Sequence, residues 1–281
     1  MCRNCTLCNA GLAKFWFHLD LSGVKRLAKA NSPYFPPLKI NDSASLLCSI
    51  TLYNFFTLSK VDGFPSVTYF PRMGNSILNR KFRYCYLNAA GALVALNVIV
   101  FAVTAFLYPP LKYLLSLIPG YVLYRHWYWQ VFTYMFVHSD IWHLFCNMLG
   151  LYVFGTAVER AAGTKEFLLF YLLTGTLTGI ASYLVYLAMG RNVVLLGASG
   201  ALYAVMLFFS VLYPRSRIFV FGIVPVSAPL LVLIYFLISL LSSITGASGG
   251  IAHITHLSGL VFAFIYIILR LRINPFRAWG L

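Results

Sequence analysis

Six stretches of this chain are so apolar for so long that they dictate its architecture: residues 89–108, 141–158, 167–189, 196–213, 228–244 and 251–271. A helix rises about 1.5 Å per residue, so a hydrocarbon layer about 30 Å thick takes about 20 residues to cross. Each stretch is near that length. In lipid the backbone amides have only each other to bond, so each stretch must be helical. Composition agrees, with 60% hydrophobic and 10% charged residues, where a soluble domain carries about 25% charged. The expected fold class is all-α: a polytopic membrane protein whose bundle of six transmembrane helices occupies residues 80–272. Its fourth helix is unusual. Gly197 and Gly200 weaken its beginning, which predicts a short helix starting at Ser199 inside the membrane, with its irregular approach covered by protein or water.

The formal net charge of +15 belongs to this topology. With the N-terminus inside, the inner segments hold Arg72, Arg80, Lys81, Arg83, Arg160, Lys165, Arg215, Arg217, Arg270, Arg272 and Arg277, and the outer ones only Lys112, Arg125 and Arg191. That asymmetry predicts both termini on the cytoplasmic side. The excess reads as a topology signal and as contact with the lipid bilayer. No nucleic-acid-binding module is visible, and no nucleic-acid partner is expected.

Residues 1–72 differ in character. They are basic, moderately polar and broken by prolines, and residues 45–58 are apolar but too short to span. Cys2-x-x-Cys5-x-x-Cys8 has the spacing of a metal half-site, but no matching fourth ligand follows, His18 being the nearest. No metal and no other cofactor is expected. The segment reads as an N-terminal basic extension, disordered or misassigned upstream of a start at Met73; its acid-poor composition also fits an organelle transit peptide. Residues 273–281 form a cytoplasmic tail. Six helices without a seventh point to a bacterial plasma membrane, and the N-terminal segment keeps an organelle membrane open.

In the expected topology helices two, four and six all run inward, so their first residues share one depth. Helix two opens with His143-Leu144-Phe145-Cys146-Asn147, which puts His143 and Asn147 on one face. Helix four opens with Gly197-Ala198-Ser199-Gly200, and helix six carries His253 and His256. Polar groups there are costly and point to function. As mere helix cross-links they would contribute about 0.6 kcal/mol each. As a set they offer chemistry: a serine activated by a histidine base, with His143, Asn147 and the Ser199 N–H as donors to an oxyanion. The acids after residue 62 are Asp140, Glu159 and Glu166, and the glutamates fall at the inner ends. The expected device is a Ser–His dyad. At this point either His253 or His256 can be the base.

The combination resembles the rhomboid intramembrane serine proteases. The matching residues are His143-x-x-x-Asn147, Gly197-Ala198-Ser199-Gly200, His256-x-x-Gly259-x-x-x-Ala263, Glu159-Arg160, and Trp129-Gln130-x-x-Thr133-x-x-Phe136-x-His138. The resemblance covers about residues 80–272 and includes the order and spacing of all these motifs. The resemblance implies Ser199 as nucleophile and His256 as general base, the latter because Gly259 and Ala263 follow it at the family's spacing. It implies Tyr203 as the ring on which His256 stacks, and His143 with Asn147 as the oxyanion pair. Gly197, Gly200, Gly259 and His138 are supporting positions. Gln130 stands where the family usually has arginine, and Ala263 where it usually has a second glycine. The resemblance further implies a half-submerged aromatic loop at 109–140. The fifth helix and the small residues 245–250 read either as a gate or as an ordinary turn.

The implied activity is hydrolysis of peptide bonds in transmembrane protein substrates near the outer membrane face. Two rivals are weaker. An inactive client-binding relative would lack the serine or the histidine, and this chain keeps both. A transporter would repeat its broken helix in the other half of the chain, and no such repeat is visible.

Overall fold

A computed structural model of the protein describes residues 82–220, 224–245 and 251–281. The expectations for residues 1–72, with Cys2, Cys5 and Cys8, and for the glycine-rich run at 246–250 lie outside these residues.

The fold is mostly helical. Helix α1 (Ala89–Ala102) continues as a π-helical turn, Val103–Leu107. Four short helical pieces follow: α2 (Pro110–Leu115), α3 (Pro119–Tyr124), α4 (Gln130–Thr133) and a 3-10 turn, Tyr134–Phe136. Helix α5 (Ile141–Gly150) passes through a second π-turn, Leu151–Gly155, into α6 (Thr156–Ala162). Then come α7 (Thr164–Ala188), α8 (Ser199–Leu212), α9 (Ala228–Thr245), α10 (Ile251–Leu269) and α11 (Pro275–Trp279).

Four of these helical stretches are long and apolar enough to cross a membrane: Ala89–Leu107, Ile141–Ala162, Thr164–Ala188 and Ala228–Thr245. The sequence led us to expect six comparable spans. The apolar helices at Ser199–Leu212 and His253–Leu269 are shorter. For α8 the reason is local, since the chain before Ser199 is held extended by Leu117 and Leu195, which exchange both backbone hydrogen bonds at 2.9 Å.

Strict all-α is also corrected. Between α8 and α9 lies an antiparallel hairpin of β1 (Arg217–Val220) and β2 (Val224–Ser227), in register from Arg217 opposite Ser227 to Val220 opposite Val224. Ile218-Phe219-Val220 and Val224-Pro225-Val226 are mostly β-branched or aromatic, which suits a pleated pair better than a helix.

Helix α8 is the centre of the packing. Every one of its residues after Ser199 is buried, which explains why it is apolar on all sides. By contrast α1 with the π-turn after it, and α9, present Ile99, Phe106, Leu233 and Leu241 outward, each more than half exposed. Such faces are a liability in water and at home in lipid tails. The protein is therefore an integral membrane protein.

Polar side chains tie the ends of the spans together. The Glu159 carboxylate, fully buried, accepts from Ala89 N at 2.8 Å, Ala90 N at 2.9 Å and the Thr164 hydroxyl at 2.6 Å. An anion on the unpaired amides of a helix start is favourable both as acceptor and as charge. Gln130 does comparable work in the loop after α1. It is fully buried. Its Oε1 accepts from Ile118 N at 3.0 Å, and its Nε2 donates to the carbonyls of Tyr113 and Leu114 at 3.0 and 3.2 Å. With Trp129 Nε1 donating to the Leu114 carbonyl and the Thr133 hydroxyl to that of Leu115, the amide fastens α2 to α4 without an arginine.

Candidate active site

Ser199 is the first residue of α8. Gly197 sits two residues before it with φ +119°, a conformation that L side chains rarely adopt. Its N–H donates to the Tyr134 carbonyl at 3.0 Å, so the short loop beside α4 fixes the approach to the serine.

The structure brings His256, rather than His253, to Ser199. His256 Nε2 lies 2.9 Å from Ser199 Oγ. The imidazole stacks on the Tyr203 ring, centroids 4.2 Å apart and planes 11° from parallel. Tyr203 is in turn met edge-on by Tyr235 of α9, at 5.6 Å. His253 stands edge-on to His256 at 6.0 Å, on the same helix. Both histidines are buried. His256 Nδ1 has no hydrogen-bond partner among the described residues, so no carboxylate completes a triad there.

Two glycines make this meeting possible. A Cβ on Gly259 would run into the backbone carbonyl of Gly200, so α10 and α8 touch main chain to main chain. A Cβ on Gly200 would meet the methyls of Thr178 and Thr255 at 2.8 and 3.1 Å. Ala263, one turn beyond Gly259, is fully buried.

His143 reaches the same place from α5. A Cβ on Gly197 would fall 2.8 Å from His143 Cε1, 2.9 Å from its Nε2 and 3.8 Å from Ser199 Oγ. The His143 imidazole therefore packs against Gly197, where only a glycine leaves it room, and near the Ser199 hydroxyl. Asn147, one turn on and buried, donates to the His143 carbonyl at 2.8 Å and keeps a second N–H on the same nitrogen. His138 is buried with its ring edge-on to His143 at 5.2 Å.

Two residues to which the sequence reading assigned no role lie beside His143. Asp140 caps α5, accepting from His143 N at 2.9 Å. Ser139 donates its hydroxyl hydrogen to Asp140 Oδ2 at 2.6 Å, and the same oxygen is 2.9 Å from His143 Nδ1. Partial burial pushes the Asp140 carboxyl upward, but hydrogen bonds from Ser139 and the His143 backbone outweigh it and leave the group below its usual range. The signal was present: an Asp directly before an apolar helix is an N-cap.

Chemically, the arrangement couples a hydroxyl to an imidazole at the start of a buried helix, with a second imidazole packed against Gly197 beside it. Such a site, in a helical membrane protein, is chemically suited to acyl transfer. A family model described as Rhomboid domain matches residues 125–273, and the chain belongs to the rhomboid family. It is 37% identical over 149 residues to RHOMBOID-like protein 12, mitochondrial, of Arabidopsis thaliana, covering 47% of this chain and 44% of that protein. It is 33% identical over 137 residues to Rhomboid protein 1, mitochondrial, of Saccharomyces cerevisiae, covering 47% and 38%. Rhomboid protease GluP of Bacillus subtilis matches at 41% over 81 residues, covering 28% and 16%. The chain thus spans less than half the length of these relatives.

Proposed function

We propose that the protein is an intramembrane serine protease that cleaves transmembrane segments of other proteins near the outer membrane face, using Ser199 and His256 as a dyad. The observation that carries this reading is the 2.9 Å contact between Ser199 Oγ and His256 Nε2, with the imidazole held flat against Tyr203. As Oγ attacks the substrate carbonyl carbon, Nε2 takes its proton. The oxyanion that forms is bonded by the Ser199 N–H and by side-chain donors from His143 and Asn147. His256 then returns the proton to the departing amine, leaving an acyl-enzyme. A water that gives its proton to His256 attacks the ester and regenerates Ser199. No cofactor is called for. A relative named as a protease supports the class.

In this reading α8 and α10 complete a six-helix bundle, with Ser199 starting inside the membrane and both termini on its inner, positively flanked side. The names of two relatives carry a mitochondrial address. Together with the basic, acid-poor residues 1–72, they favour an organelle membrane over a bacterial one.

A fluorophosphonate probe tests the nucleophile directly. The folded protein is expected to form an adduct on Ser199, and a folded protein that takes up no probe would sink the reading.

Asn147→Ala is expected to lower turnover by roughly 10²-fold or less while leaving Ser199 reactive to that probe. Loss of one donor from an oxyanion site costs about 10²–10³ where others cannot compensate, and here His143 and the Ser199 N–H remain. Full turnover per folded molecule with a lower melting temperature would instead make Asn147 a purely structural residue.

Residues 80–272 carry the activity in this proposal. A chain beginning at Met73, purified and reconstituted in liposomes, is expected to cleave like the full chain; loss of cleavage there would make the upstream segment part of the protease.

A further inference from the structure

We propose that Asp140, acting through the Ser139 hydroxyl, places a proton on His143 Nδ1, so that the Nε2 facing Gly197 and Ser199 carries hydrogen only when the ring is cationic. The inference deepens the protease reading and rests on it for its catalytic consequence.

Hydrogen counting carries the argument. A serine hydroxyl has one hydrogen, and Ser139 gives it to the Asp140 carboxylate at 2.6 Å. Towards His143 Nδ1, 2.9 Å away, the same oxygen can then only accept, so Nδ1 must donate. One contact opposes this: the Ser139 N–H is aimed at Nδ1 from 3.5 Å, which would favour a bare Nδ1. That distance is at the outer limit for a hydrogen bond. The bond to a carboxylate is charge-assisted and about twice as strong as a neutral one, so the carboxylate decides the direction. Ser139 and Asp140 are exposed, so water can supply the proton.

A neutral ring with hydrogen on Nδ1 offers only a lone pair to the space beside Ser199. His143 can therefore support an oxyanion only as imidazolium, with Asp140 as its counter-charge. Ser139 and Asp140 are positioning residues. The charged and titratable groups around His143 are Asp140 and His138 before α5, Lys112, whose Nζ donates to the Ser139 carbonyl at 3.0 Å, and His256 on α10, with His253 edge-on to it. The sign follows. The imidazolium is present at low pH and lost as pH rises, the opposite of His256, which must be neutral to act as base. Turnover should fall on both sides of an optimum.

The test is nitrogen NMR of histidine-labelled full-length protein, with His143 assigned by its absence in His143→Ala, alongside pH profiles of cleavage. In the wild type Nδ1 is expected to stay protonated throughout, with Nε2 gaining hydrogen on acidification, and turnover to fall as pH rises through that titration, levelling about 10²-fold lower once the donor is lost. Asp140→Asn keeps the helix cap, because Asn caps as well as Asp. Its amide can donate to Ser139 and turn the hydroxyl hydrogen onto Nδ1. In Ser139→Ala the backbone N–H faces Nδ1 without competition. Both variants are expected to carry the neutral ring's hydrogen on Nε2 and to lose the high-pH decline. A wild-type neutral ring with hydrogen on Nε2, or variants whose ring signals match the wild type, would overturn the relay even in an active protease. The expected ring signals in a protein that cleaves nothing at any pH would support the relay and remove the protease reading.

Discussion

Ser199→Ala is expected to reduce cleavage of a model transmembrane substrate to background while the protein still inserts and folds. His256→Ala should be as damaging, and the double mutant no worse than either. Ser199 Oγ is a poor nucleophile until its proton has somewhere to go, and the base within hydrogen-bond distance is His256 Nε2. Groups that act as one unit fail together; where nucleophile and base have been removed singly and jointly in a soluble enzyme, each loss is on the order of 10⁶-fold and the losses do not add. His253→Ala should do less harm, because that ring meets His256 edge-on at 6.0 Å. Purified variants assayed on one substrate, with melting temperatures taken alongside, decide the matter. Wild-type cleavage by Ser199→Ala would end the serine mechanism. A double mutant far worse than both singles would separate the two residues into independent roles.

Much of this site was legible in the sequence because its parts are local. The pair of glycines around Ser199, the i,i+4 spacing of His143 and Asn147, and the small residues after His256 are each visible within a dozen residues. Choosing between His253 and His256 was not local, since it depends on where α10 crosses α8. Only the resemblance singled out His256, whereas the structure gives a physical cause, the main-chain contact of Gly259 with Gly200.

The ends of the helices were harder. Apolarity stops at Val158, yet the helix runs to Ala162 and ends at Gly163 with φ +87°. Glu159 can stay within it because its charge is taken up by the start of α1, 70 residues away in sequence, a partner no local pattern reveals. Similarly, Gln130 stands where the family usually has arginine, and its three backbone hydrogen bonds appear only once α2 and α4 are side by side. The hairpin at 217–227 is too short to declare a period of two against neighbouring spans. The direction of the Ser139 hydroxyl depends on three groups at once.

Gly259→Ala is expected to lower turnover by about 10²-fold or more, although no catalytic atom is removed. The added Cβ would run into the Gly200 carbonyl oxygen. Backbone cannot swing aside as a side chain can, so α10 must back away from α8. His256 is three residues before Gly259 on α10, and Ser199 is adjacent to Gly200 on α8, so the displacement falls on the 2.9 Å contact between the proposed base and nucleophile. A misplacement of about 1 Å can cost about 10²-fold in rate, and overpacking of this kind typically destabilises by about 1–3 kcal/mol. The control lies one turn along the same face. Ala263 already carries a Cβ and is fully buried, so Ala263→Gly removes atoms instead of forcing them in. It should cost about 1 kcal/mol in helix propensity and leave turnover per folded molecule within a few-fold of wild type. Both variants would be purified and compared for cleavage, fluorophosphonate labelling and melting temperature. If Gly259→Ala melts lower but cleaves normally per folded molecule, the close approach of α8 and α10 serves stability alone. Slow labelling with normal insertion would tie the approach to the reactivity of Ser199, because the probe needs only an activated serine and no bound substrate.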